Sequence, residues 1–493
     1  MSRSDQMRLL AGCVLLLPLL VGCATHETHV LSPIFPESFI DKHDLKSLVP
    51  PRMSLVTGAS SPHSKTRPRA QGEPASKDGE RVLDLATALS VGGASSLQVD
   101  LARAELSDAH ARMEQANALW LPDLSAGLGF DRHKGNDQST DGRILDTSTN
   151  SGFAGSGLFA SFNLADALIE PDSAQHDLDA ASAHVVATVN DALLTIARAY
   201  NDLVEAQSKL SLAKENVSLS EKLVDLTESF AHAGQGLESD AARARSERAY
   251  RKKVVAAARQ RVRMQSVRLA TVLRLDPTQH IRAKDEQLIP FTLIAEGIDL
   301  PILIKEAMLA RPEIHSLTAS YQAHTAREDQ ETVRPFIPRL VFGLEAGGMG
   351  GGKGSDFNNF DGTSQVSVGL VWTIRNLGLG EASARKHRAA QSRIAKIRVM
   401  VARNQISKQV TLAYVRSAEG RHQVELSLQN IKEALESLDL NLKRIHGAEG
   451  LPIEALQAFR AAAKARTAYI ESVAGFNRAQ FDLLRAVGRP VKR

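Results

Sequence analysis

The chain has 493 residues, of which 43% are hydrophobic, 24% charged and only 4% aromatic. At about 150 residues per domain there is room for roughly three domains, but so few Phe, Tyr and Trp argue against three ordinary globular cores. Sixty basic against 56 acidic residues leave a formal charge of +4, too close to balance to signal nucleic acid, and Ala, Leu and Val mixed with Glu, Arg, Lys and Gln suit long helices or coiled coils.

Residues 1–22 are expected to be a signal peptide. Arg3 and Arg8 precede the apolar stretch Leu9–Val21, which is too short for a comfortable membrane span and has the size of a signal core. It ends in Leu20-Val21-Gly22-Cys23. That run resembles a bacterial lipobox, which implies cleavage before Cys23, acylation of its thiol and, with Ala24 following, an outer-membrane destination. Cys13 would leave with the peptide, so two cysteines support neither a disulfide framework nor a multi-cysteine zinc site. Residues 23–80 carry Pro33, Pro36, Pro50, Pro51, Pro62, Pro68 and Pro74 and are expected to be a lipidated tether. His26 and His29 fall in this tether, and no metal site or cofactor is expected.

The remainder is written twice. Ala199-Tyr200 recurs as Ala413-Tyr414, 214 positions later, and Gly236-Leu237 recurs as Gly450-Leu451 at the same offset. Leu121-Pro122 and Ile337-Pro338 correspond at a slightly larger offset. Two copies are expected, 82–277 and 298–490, joined by a linker. Each holds a helical segment, two strands, a long helix, a glycine-containing turn and a second long helix.

The strands are expected at about 122–131, 153–164, 338–346 and 364–374. In the last, Val366, Val368, Leu370, Trp372 and Ile374 alternate with Gln365, Ser367, Gly369, Val371 and Thr373, the period of a sheet with one apolar face. Each is close to the 9–11 residues that cross a bilayer at a tilt. The stretches between them, near 131–151 and 347–363, are polar and rich in Gly, Asn and Asp, and are expected to be loops. Gly347 to Lys353 has the look of a phosphate loop, but Gly354 stands where Ser or Thr is needed, and it lies between two strands.

The long helices carry heptads. Ile196, Leu203, Leu210, Val217 and Val224 are seven apart, with Ala199, Ala206, Ala213 and Ser220 on a second seam. Val410, Ser417, Val424, Ile431 and Leu438 repeat the pattern in the second copy. This period favours a left-handed supercoil. A first helix over 167–231 would be about 95 Å long. Hairpin tips are expected at about 232–240 and 446–454, where Gly234, Gly236, Gly447 and Gly450 reverse the chain.

No internal apolar run after the signal reads as a membrane-spanning helix. A membrane crossing would then need a closed barrel. Four strands cannot close one wide enough for a channel, whereas three chains would supply twelve.

At this point the chain resembles the TolC-like outer-membrane efflux proteins, in their lipoprotein branch. The carriers are the duplicated order, Leu121-Pro122 and Ile337-Pro338 before the first strands, Ala310-Arg311-Pro312-Glu313-Ile314, Trp372 to Gly380, and Asn477 to Gly488. The resemblance implies an α+β membrane protein and a homotrimer. Its twelve-stranded β-barrel would continue into an α-helical periplasmic tunnel. It implies a passive exit duct for tripartite efflux or type I secretion, partnered by a periplasmic adaptor (membrane fusion protein) and an inner-membrane pump, and no enzyme activity. Copy one departs from the pattern, since Phe162-Asn163-Leu164-Ala165-Asp166 lacks the glycine pair usual after the second strand.

The resemblance also implies that Gly234, Gly236, Asp240, Gly447, Gly450, Glu454 and Gln457 lie at the tunnel entrance and adaptor contact. In a trimer Asp240 and Glu454 would each form a ring favouring cations, although acids in a first helical turn are favoured anyway. Trp120 and Trp372 sit near strand boundaries and suit a membrane-interface belt. The rival reading is a lipid-anchored periplasmic coiled-coil scaffold or adaptor without a channel, which leaves the four strands unexplained. An enzyme finds no support: there is no His-Glu-x-x-His or Gly-x-Ser-x-Gly motif.

Overall fold

The computed structural model describes residues 80–490, apart from Pro122, Gln235 and residues 447–449. Cys23 and the tether up to residue 79 lie outside the described residues, as does Gly447.

In chain order the elements are β1 (Glu80–Leu83), α1 (Leu85–Ser95), α2 (Leu97–Asn117), β2 (Asp123–Gln138), β3 (Ile144–Asn163), α3 (Leu164–His232) and α4 (Glu238–Val272). Then follow β4 (His280–Ala283), α5 (Leu300–Ala310), α6 (Pro312–Val333), β5 (Arg339–Lys353), β6 (Asp361–Val371), α7 (Leu379–His446) and α8 (Pro452–Val487). The duplication extends to single backbone bonds. Gly236 N–H donates to Phe230 O, and Gly450 N–H donates to Arg444 O, 214 residues on. At the other end of the second helix, Leu275 N–H donates to Ala270 O and Arg489 N–H to Leu484 O, again 214 apart. Arg274 (φ 55°) and Gly488 (φ 90°) take the left-handed helix stop in the two copies.

The sheet is antiparallel in the order β2-β3-β5-β6. Its strands run further than their apolar alternation: β2 has 16 residues, β3 20 and β5 15. Most of the stretches expected as loops continue the ladder, with Arg132 opposite Asn150 and Gly135 opposite Thr147. Ladder bonds join main chains and do not require an apolar face, so pattern alone underestimates strand length. Gly347–Gly352, expected in a loop, is strand β5. Strand β6 stops at Val371, leaving Trp372 and Ile374 beyond it.

The two exits from the sheet differ. In copy two, Asn376, Leu377 and Gly378 are all left-handed. In copy one, β3 ends at Asn163 and α3 begins at Leu164 with no left-handed residue, so no glycine is needed.

Helix α3, with 69 residues, is about 104 Å long. The small seam is its most buried line: Ala199, Ala206, Ala213 and Ser220 are all buried, while Leu210 and Val217 are only half-buried. In α7 the same closeness appears at Gly420, where a Cβ would meet Phe476 Cα of α8 at 3.4 Å. By length and composition α3 also contains a window apolar enough to cross a membrane, contrary to the expectation of none. Its Ala-, Val- and Leu-rich face packs against β1, β4 and the α4 end through Ile196, Tyr200 and Leu203.

Among the described residues, three clusters hold the helices. One joins α1, mid-α3, the end of α4 and the β1–β4 parallel pair. A second joins α5, α7 and the end of α8. The third lies behind the hairpin tips around Phe459 and Ile445. The segment expected as a linker is tied in: Phe291 and Leu293 N–H donate to Asn477 Oδ1 and Gln480 Oε1 of α8 at 3.2 and 2.9 Å.

Candidate functional site

The sheet has two chemically distinct faces. Cross-strand partners share a face, so Leu340–Leu370, Phe342–Val368 and Leu344–Val366 define one side. Leu128, Phe130, Val366, Val368 and Leu370 on it are exposed. The opposite side carries Glu345, Gln365, Ser367 and several glycines, with Val341, Met349 and Val371 among them. It is the concave one. A Cβ at Gly347 would lie 2.5 Å from Ala154 O, and one at Gly155 2.6 Å from Ala346 O. The backbones of β3 and β5 close on each other on that side, and only glycine fits. The sheet thus curls toward its more polar, glycine-rich face and away from the exposed apolar one.

Aromatic side chains mark both ends of the apolar face. Trp120 and Trp372 flank the helix-proximal end and are 48% and 57% exposed. At the far end the β5–β6 turn folds back onto the sheet, with Phe357 5.8 Å from Phe130 and 5.0 Å from Phe360. Phe357 and Phe360 seat on Gly152 and Gly350, where added Cβ atoms would collide with them at 2.5 Å. Leu340 and Gly350 are ten residues apart on β5, about 34 Å of strand or roughly 24 Å of height at a 45° tilt. Periodicity singles out neither Phe357 nor Phe360, because both follow the strand in a polar segment.

The hairpin tips lie at the other end of the long helices. Gly234 is left-handed at φ 73°, and Gly236 and Gly450 sit against the preceding helix, where Cβ atoms would lie 3.2 Å from Phe230 Cβ and 3.0 Å from Arg444 Cβ. Asp240 and Glu454 fall in the first turns of α4 and α8. Asp240 is only 8% exposed and accepts from Arg243 Nη1 at 2.9 Å. Glu454 accepts from Arg444 Nη1 at 3.1 Å. Arg245 bridges Glu238 and Glu228 at 2.8 and 3.0 Å, and its bond to Glu238 holds that carboxyl below the usual range. The tip acids are thus paired within the chain. Arg243, three residues after Asp240, was visible as a helical neighbour; the Arg444–Glu454 contact needs the hairpin. Gln457 is exposed on α8.

Behind the tips, Glu247 of α4 accepts from Arg251 Nε and from Arg460 Nε of α8, both at 2.7 Å. The Arg251 guanidinium lies 5.0 Å from the Phe459 ring centroid.

A long helical body is joined to a curled sheet with one apolar face. Residues 93–273 match the family described as "Outer membrane efflux protein". The fold spans both halves: the outer-membrane channel OprN aligns with a TM-score of 0.71 at 18% identity, over 82% of this chain and 89% of that one. The outer membrane protein VceC of Vibrio cholerae aligns at 0.67 and 16%, over 83% and 97%. The MtrE outer membrane channel of Neisseria gonorrhoeae, in its open state, aligns at 0.67 and 18%, over 83% and 90%. No curated protein matches by sequence. Residues 93–273 are thus similar in sequence to that family, and the fold of these channels covers about four fifths of the chain.

Proposed function

We propose that three copies of this chain form the exit duct of a tripartite efflux or type I secretion assembly. The observation that carries this reading is the sheet itself. Its edge strands, β2 and β6, have no further partner among the described residues, and open edges are too costly in lipid. Pairing β6 of one copy with β2 of the next closes twelve strands around the concave faces. The apolar faces then meet lipid between the two aromatic ends, and Trp120 and Trp372 form the belt nearer the helices.

Below the barrel the helices continue as the tunnel through the periplasm. The duct is a passive conduit and performs no chemistry; an inner-membrane pump supplies the energy and a periplasmic adaptor meets the tips at Gly234, Gly236, Asp240, Gly447, Gly450, Glu454 and Gln457. Cys23 holds the lipid, and residues 23–80 tether it to the body.

The test is envelope fractionation followed by planar-bilayer recording. A detergent-dependent, heat-modifiable trimer that conducts ions supports the duct. A soluble periplasmic protein released by replacing Cys23 would instead establish a lipid-anchored scaffold.

A further inference from the structure

The stretches around Arg311 and around Arg485 meet at a cavity that the duct reading leaves unused. It holds about 470 Å³ and lies where the end of α8 abuts the start of α6, flanked by α3 and α7. Four arginines line it: Arg198, Arg311, Arg416 and Arg485. Against them stand three carboxylates, Asp191, Glu313 and Asp482.

Every carboxylate is already committed. Glu313 accepts from Arg311 at 3.1 Å through both oxygens and also pairs with Arg485. Asp191 accepts from Arg485 Nε at 2.8 Å, and Asp482 from Arg198 Nε at 2.7 Å. Two donors remain. Arg485 is 6% exposed, and its Nη1 is buried without a hydrogen-bond partner. Arg416 has no hydrogen bond or ion pair among the described residues and stands exposed at the cavity wall. A buried guanidinium N–H without an acceptor is costly, and the unmatched charge is positive. The cavity opens away from the β1–β4 pair, because Leu194 and Arg198 leave α3 opposite Ile196 and Tyr200.

We propose that this cavity is a binding site for a small oxyanion, a carboxylate or phosphate group, held by Arg416 with the surplus positive charge of the arginine cluster beside it. Its volume admits a small organic anion, and guanidinium is the side chain best suited to either group. The site needs neither a barrel nor a partner and is tested without measuring conduction.

Full-length protein in detergent is unfolded thermally at fixed ionic strength, with chloride replaced stepwise by inorganic phosphate or, separately, by citrate. The midpoint is expected to rise saturably with at least one of them, and the one that acts identifies the group. Arg416→Gln should keep the chloride midpoint and need about tenfold more anion for the same rise. Leu412→Trp, which crowds the cavity wall and leaves every arginine in place, should weaken the rise. No saturable rise in the native protein, or an equal rise in both variants, would overturn the proposal.

Discussion

Arg460 Nε of α8 donates to Glu247 Oε2 of α4 at 2.7 Å, and this bond joins the two helical hairpins behind their tips. Glu247 is 5% exposed and also holds Arg251. Glu247→Gln removes one charge from a buried cluster and leaves two guanidiniums without a counter-ion. It should cost about 3 kcal/mol. Arg460 is half exposed, so Arg460→Ala should cost no more than about 1 kcal/mol. Urea unfolding of the two variants measures the asymmetry, and equal losses would refute it.

The curl of the sheet depends on glycine at specific places. Gly347→Ala puts a Cβ 2.5 Å from Ala154 O, whereas a Cβ at Gly369 meets nothing within 4 Å. On semi-native gels Gly347→Ala should lose the heat-modifiable form, and Gly369→Ala should retain it.

Acid should weaken the junction of α6 with α8. Burial of Glu313 opposes its charge, but the Arg311 and Arg485 guanidiniums outweigh burial and hold its pKa down at about 2. A folded pKa below the unfolded one gives stability that is complete above the unfolded value, near 4.5. It is lost as pH falls toward 2, and amounts to roughly 3 kcal/mol. Thermal melts from pH 6 to pH 2 should show this loss, and Glu313→Gln should flatten its share of the slope.

At the tips, Asp240 and Glu454 already carry arginine partners, so in the proposed trimer the rings they form would present less net charge than the sequence suggests. Asp240→Asn with Glu454→Gln should reduce cation selectivity only modestly and shift it toward anions, because two carboxylate charges beside Arg243 and Arg444 are removed. Reversal potentials across a salt gradient measure this; unchanged selectivity and gating would exclude the gate role and leave helix capping.

The far aromatic cluster should lie in the outer boundary of the bilayer. Phe360→Trp, in liposomes containing brominated lipid, should give quenched, blue-shifted emission. Emission typical of water would place the β5–β6 turn outside the membrane.

Local chemistry determined the repeat, the heptads and the alternating strands. The offset of 214 residues was legible because each copy meets the same backbone demands at its turns, and the small-residue seam because helices that approach closely exclude larger side chains. Strand ends were not legible, since a hydrogen-bonded ladder continues through Ser, Thr, Asn and Gly without an apolar signal. Only the tertiary structure decided which sheet face is concave, because curvature arises from the approach of Ala154 to Gly347 across two strands. It alone brought Arg311 beside Arg485 and Glu247 beside Arg460, contacts between residues far apart in the chain that no local period encodes.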